Sequence, residues 1–285
     1  MALKTSITNY SFNRSLRSGK MGIEGFLDFC GKAKFDGVDL MVYFWKDKDA
    51  EMANLPKWLE RNRLRLVGYG VGNNFLVRDA AELAKAKEIV RSGIEDAHRI
   101  GARMMRVFGG GKVEGWATDA ALDHLAGCFR ELVKIAEDKD VVLTVENHGG
   151  LPGTAEEVIR LIQAVGSPCL ASLLDTGNFV DAGADPVDAA KKLAPYVRHV
   201  HVKDMLKFPL GSDRGHKASR GDFHTEACTV GKGVVPNKEI FRVLADAGYD
   251  GYLSLEAEGP EDEDEGKRVL AGLAHIRKCI REIRK

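Results

Sequence analysis

A chain of 285 residues has the length for one large domain or two ordinary ones, and its 42 basic and 42 acidic side chains leave no net field to favour nucleic acid or an anionic membrane. Five scattered cysteines (Cys30, Cys128, Cys169, Cys228, Cys279), never spaced C-x-x-C, argue against a disulfide framework or a zinc knuckle and for reduced thiols in a cytoplasmic protein. No apolar stretch approaches membrane-spanning length, and "MALKTSITNYSF" lacks the charged-then-apolar order of a secretion signal.

In chain order, the first predicted strand is "TSITNY" (5–10), followed by "GVDLMVY" (37–43) and "RLVGYGV" (65–71). Next, "AAELAKAKEIVRSGIEDAHRIG" (80–101) places apolar residues three and four apart, the period of an amphipathic helix. The fourth strand is "RMMRVFG" (103–109); the "FGGGK" at its end lacks phosphate-loop spacing and reads as a turn. "VVLTVEN" (141–147) is the fifth, and Thr154 with Glu157 then form a capping box for a helix. "LASLLDTGN" (170–178) is the sixth, after which Asp185 caps a helix that carries Pro186 in its first turn. "VRHVHVK" (197–203) and "GYLSLEAE" (251–258) complete eight, and "EGPEDEDEG" (258–266) reads as a solvated acidic start to the last helix. Eight strand–helix units without a linker predict a single (β/α)8 barrel, one domain over residues 1–285. The connection 205–235 is expected to be a long functional loop over the barrel mouth.

In such a barrel, chemistry collects at the C-terminal ends of the strands. Those ends carry Glu146, Asp175, His201 and Glu256. Strand alternation turns Thr144 and Glu146 inward while Leu143 and Val145 meet helices, and does the same for Ser254 and Glu256 between Leu253 and Leu255. In "RHVHVKD" (198–204), His199, His201 and Lys203 share the inward side, with Asp204 turned toward the loop backbone. Three inward carboxylates at one level repel each other unless a cation neutralises them. One divalent ion would do so, and an O3N donor set suits Mn2+ ahead of Mg2+, Co2+ or Zn2+. His148, two residues beyond Glu146, shares its face if the strand continues that far; with Lys203 it could serve as an acid/base pair. The plainer alternatives are a loop histidine bonded to backbone and a lysine paired with a carboxylate.

The series "VEN…LDTGN…HVHVKD…LSLE" resembles the xylose isomerase-like TIM-barrel superfamily of sugar phosphate isomerases and epimerases over nearly the whole chain. The resemblance implies one divalent metal, often Mn2+, on Glu146, Asp175, His201 and Glu256. In the family's epimerases the two glutamates exchange a proton from opposite faces of the substrate carbon, a role Glu146 and Glu256 would inherit. Ketose 3-epimerases carry a substrate-binding histidine three residues after the aspartate and an arginine six after the metal histidine. Here those places hold Asn178 and Lys207, and "HVKD" is closer to the inosose dehydratases. Trp116 is a further candidate for stacking on a sugar. The expected function is a metal-dependent isomerase or epimerase of a sugar, cyclitol or keto-sugar, working through a metal-stabilised enediolate. The alternative is a lyase that dehydrates a 3-keto sugar or inosose. The partner is then a small sugar-like molecule, and a homo-oligomer is compatible. The superfamily's apurinic endonucleases need extra histidines on the early strands, and "TNYSF", "MVYFW", "YGVGNN" and "VFGGG" supply none.

Overall fold

Short apolar runs become strands here because both of their faces are covered, by helices outside and by a filled interior inside. The computed structural model describes residues 3–112 and 114–284. Its strands are β1 (Lys4–Thr8), β2 (Gly37–Met41), β3 (Arg65–Gly70), β4 (Met104–Val107), β5 (Val142–Glu146), β6 (Leu170–Asp175), β7 (Val197–Val202), β8 (Asp204–Pro209), β9 (His216–Lys217), β10 (Phe223–Cys228) and β11 (Tyr252–Leu255). Eight of them close a barrel in the order β1-β11-β7-β6-β5-β4-β3-β2, with every pairing parallel. The helices are α1 (Asn13–Arg17), α2 (Ile23–Lys32), α3 (Lys48–Asn62), α4 (Ala80–Ile100), α5 (Thr118–Asp138), α6 (Ala155–Val165), α7 (Asn178–Asp181), α8 (Pro186–Leu193), α9 (Asn237–Asp246) and α10 (Glu265–Ile283). This is the single (β/α)8 barrel that the pattern predicts.

Local chemistry sets the helix ends. Asp79 caps α4 by accepting from Glu82 N, and Gly101 ends it at φ 75°. Thr154 and Glu157 make the complete capping box of α6, and Asp185 caps α8 with Pro186 in its first turn. Val90 and Ile94 of α4 and Leu125 and Phe129 of α5 join Met105, Val107, Leu143 and Val145 in the fully enclosed apolar layer. Each such side chain contributes about 1.5–3 kcal/mol by leaving water.

Two expectations need correction. The barrel strands stop short of their apolar runs at the C-terminal end: β5 at Glu146, β6 at Asp175 and β11 at Leu255. Beyond these points the backbone turns to satisfy polar groups of the mouth, so alternation does not carry His148 inward. Second, the connection 205–235 is no irregular loop. It contains an antiparallel sheet of order β8-β10-β9, in which Thr225 pairs with Lys207 on one side and with His216 on the other. The sheet is fastened to the segments that follow β5 and β6: Thr225 Oγ1 donates to Asp181 Oδ1 at 2.7 Å, and Arg220 Nη2 lies 2.8 Å from both carboxylate oxygens of Glu157. Asp204 turns away from the interior, as expected, and its carboxylate accepts from the backbone N–H of Met205, Gly231, Gly233 and Val235.

The acidic start of α10 also differs from a purely solvated end. Asp264 caps the helix, but Glu265 is buried and accepts from the backbone N–H of Arg14 and Ser15.

Candidate metal centre

Four strand ends bring one ligand atom each from Glu146, Asp175, His201 and Glu256 to within 4.8 Å of one another, all buried. The chain holds each side chain by a separate device. Asn147 clamps the end of β6, its amide donating to Asp175 O while its own Oδ1 accepts from Asp175 N. Asp175 Oδ1 then accepts from the N–H groups of Gly177 and Asn178, at 2.8 and 2.7 Å. Gly177 is needed there because a Cβ would lie 2.9 Å from Lys203 Cγ. Glu146 is held from two sides, by Asn178 Nδ2 at 3.2 Å and by the Arg106 guanidinium at 3.4 Å. Glu256, one residue past β11, has Lys203 Nζ at 3.5 Å, and Lys203 itself lies 2.5 Å from Glu258.

What remains free points inward. Among the described residues, Asp175 Oδ2, His201 Nδ1 and Glu256 Oε2 are buried without a hydrogen-bond partner. His201 Nδ1 lies 2.8 Å from Glu256 Oε2 and 3.9 Å from Glu146 Oε1, close enough to interact but not aligned to share a proton in a hydrogen bond. Leaving three such atoms unpaired costs about 1–3 kcal/mol each. The titration behaviour has the same origin. Burial, with Glu256 and Glu146 nearby, pushes Asp175 up to about 8 despite Lys203. Burial disfavours the charged His201 ring, but the glutamates on either side outweigh it and raise the pKa to about 10. Burial would likewise raise Glu256, yet Lys203 and His201 hold it well below the usual range. A site that must take up protons to relieve its own charge fits a divalent cation, and the donor set is the O3N set that such ions accept.

The other candidates fall differently. Asn178 is buried against Glu146 and so steadies a ligand. Lys203 is buried and keeps its proton, since Glu258, Glu256 and Asp175 outweigh the penalty of burial. His148 lies in the loop after β5, its ring 4.6 Å from that of Phe108. Its side chain is exposed, and partial desolvation of the ring, with the Lys203 and Arg106 charges nearby, lowers its pKa below the ordinary imidazole value against the pull of Glu146. Lys207 is exposed on β8 with its ammonium 3.8 Å over the Phe223 ring, and Trp116 packs on Arg78 and His124 before α5. The structure does not bring those two to the cluster.

Sequence reasoning missed Arg106 and Asp39. Arg106 alternates with the apolar Met105 and Val107 on β4, a parity signal like the one that flagged the acids. Its guanidinium also reaches Val71 O at 3.0 Å and Tyr43 Oη at 3.3 Å, over the face of Phe108. Asp39 on β2 pairs with His199 at 3.0 Å, beneath His201.

Fold and site together define a (β/α)8 barrel with a carboxylate–histidine centre at the C-terminal ends of its later strands. The chain belongs to the xylose isomerase-like TIM barrel family, whose model matches residues 27–279. A relative of known name is an inosose dehydratase of Clostridium perfringens, 32% identical over 188 residues, 64% of this chain and 61% of that protein. The match therefore spans about three-fifths of that relative's length. Among solved structures, an IolI protein with a bound zinc atom superposes with a TM-score of 0.80 at 15% identity, covering 99% of both chains. A probable 3-DHS dehydratase, AsbF, of Bacillus anthracis gives 0.75 at 18% identity, covering 96% of this chain and 99% of that one. At such identities the structural likeness speaks for the fold.

Among the described residues, no helix is long and apolar enough to cross a membrane.

Proposed function

We propose that the protein is a divalent-metal-dependent dehydratase that removes water from a cyclic keto-polyol of the inosose type. The observation that carries this reading is the division of labour at the mouth. Both glutamates are tied down, Glu146 by Arg106 and Asn178 and Glu256 by Lys203, which leaves the His148 ring in the loop after β5 and the Lys203 ammonium itself as the groups to move protons. Elimination needs a base for a C–H next to a carbonyl and an acid for the departing hydroxyl. His148, held neutral, suits the first task, and Lys203, held protonated, suits the second. The C–H and C–O bonds break, a C=C bond forms, and the two protons balance as water leaves.

A divalent ion on Glu146, Asp175, His201 and Glu256 would supply positive charge to the carbonyl and its neighbouring hydroxyl as they become more anionic. Mn2+ remains our first choice by donor type. The residues around it do the rest: Asn178 and Arg106 fix Glu146, the Asn147 clamp fixes Asp175, and Glu258 keeps Lys203 charged. The five free thiols, four of them buried, suit a reducing cytoplasmic setting.

Isomerisation or epimerisation is the second reading. It is favoured by the placement of Glu146 and Glu256 on strands separated by β6 and β7, so that the two carboxylates approach from different sides. Mass spectrometry after incubation with Mn2+ and a panel of inososes and free ketoses decides between them. Dehydration lowers the product mass by one water, whereas isomerisation conserves it. His148→Ala and Lys203→Met should each lower turnover about 100-fold or more while metal content stays at the wild-type level. Full activity in both variants would sink the dehydratase reading.

A further inference from the structure

The interior of a (β/α)8 barrel is usually packed with branched apolar side chains. Beneath this centre it is polar instead. Asp39, 2% exposed, accepts from His199 Nε2 at 3.0 Å and from the Ser254 hydroxyl, both on the same oxygen, Oδ2. Its other oxygen, Oδ1, has no hydrogen-bond partner among the described residues, nor has His199 Nδ1. Gly68 on β3 makes room for that free oxygen, since a Cβ there would lie 2.8 Å from it. The His199 ring meets the His201 ring edge-on, with centroids 5.3 Å apart, and one polar atom each of Asp39, His199 and His201 lie within 4.8 Å of one another. Burial alone would raise the Asp39 carboxyl, but His199, His201 and Ser254 outweigh it and leave its pKa below the usual range.

A buried carboxylate with an unpaired oxygen is costly, and a hydrogen bond to one histidine does not explain its place under the ligand ring. We infer that Asp39 is a positioning residue for the metal centre: its fixed negative charge, steadied by His199 and Ser254, lies behind His201 and strengthens cation binding at the four ligands above. Carboxylates behind a metal-bound histidine raise affinity by roughly ten- to a hundredfold through orientation and charge. Asp39 makes no hydrogen bond to His201, so the charge part alone acts here, across the gap from the Asp39 carboxylate, while His199 and Ser254 only hold that carboxylate in place. The inference rests on the reading of Glu146, Asp175, His201 and Glu256 as the metal ligands.

The test is Mn2+ titration calorimetry on the metal-free protein and three variants, with thermal unfolding of each metal-free form alongside. Asp39→Asn keeps the shape and the acceptor but removes the charge. It should bind one Mn2+ at least about tenfold more weakly than wild type. Ser254→Ala and His199→Gln keep the charge and should stay within about threefold of wild type, even where they lower the metal-free Tm. Equal affinity in Asp39→Asn and wild type overturns the inference and leaves the metal site intact. A loss in His199→Gln as large as that in Asp39→Asn also overturns it, because packing would then suffice. Two ions per wild-type chain, falling to one in Asp39→Asn, overturns it by making Asp39 a ligand. No Mn2+ on the wild type removes the metal reading itself, and the inference with it.

Discussion

Asp175 and His201 hold protons that a cation must displace. With burial and two neighbouring glutamates raising Asp175 to about 8, and those same glutamates raising His201 to about 10, both groups carry a proton at pH 7 in the metal-free protein. Metal uptake at pH 7 should therefore release about one proton from each, read by calorimetry in buffers of different ionisation enthalpy. Affinity should fall as pH drops below 7, because protons compete more strongly. For the metal-free fold the linkage runs the other way. A carboxyl whose folded pKa lies above its unfolded value binds more protons when folded, so Asp175 favours the fold below about pH 4 and loses that contribution as pH rises through 8. Metal-free Tm should fall across that window and the metal-loaded form should not follow it. Uptake with no proton release would show that the ligands are already deprotonated.

The elements explain which residues were legible in the sequence. Parity along β5 and β11 was enough to place Glu146 and Glu256, because Leu143, Val145, Leu253 and Leu255 mark the opposite face without ambiguity. The end of a strand carries no such mark. That β5 stops at Glu146 follows from the Asn147 clamp, formed with a residue 28 positions away, so the loop placement of His148 could not be read locally. Arg106 and Asp39 were passed over for a similar reason: their partners Glu146 and His199 lie 40 and 160 residues along the chain. The β8-β10-β9 sheet was missed because glycine, lysine and serine in its turns masked the short alternation of "FHTEAC". Its anchor can be tested. Asp204 accepts three backbone N–H groups from the turn preceding α9 and a fourth from Met205 on its own strand, and Asp204→Ala would leave them without that acceptor in a buried place. Chemical denaturation should show a loss of about 3 kcal/mol or more, against about 1–2 kcal/mol for Arg220→Ala, which loses a half-buried ion pair. Equal and negligible losses would mean that this connection is not held by these contacts.

At the scale of the molecule, a chain with no net charge concentrates fixed charges in one place. Glu146, Asp175, Glu256 and Glu258 meet Arg106 and Lys203 at the C-terminal ends of a barrel whose outer layer is apolar. Barrel closure creates that arrangement, since β1 pairs with both β2 and β11 and so brings residues from opposite ends of the sequence to one rim. Alternation and strand count made the barrel legible, while the excess of negative charge over positive at the mouth became visible only with its partners in place. Once Asp175 and His201 give up their protons, two carboxylate charges remain without a cationic side chain to offset them, which is the charge of one divalent ion. An anomalous difference map from crystals grown with Mn2+, recorded at the manganese absorption edge, tests this most directly. The predicted result is one peak per chain, ligated by Glu146, Asp175, His201 and Glu256; no peak there, or a peak bound by other residues, would contradict it.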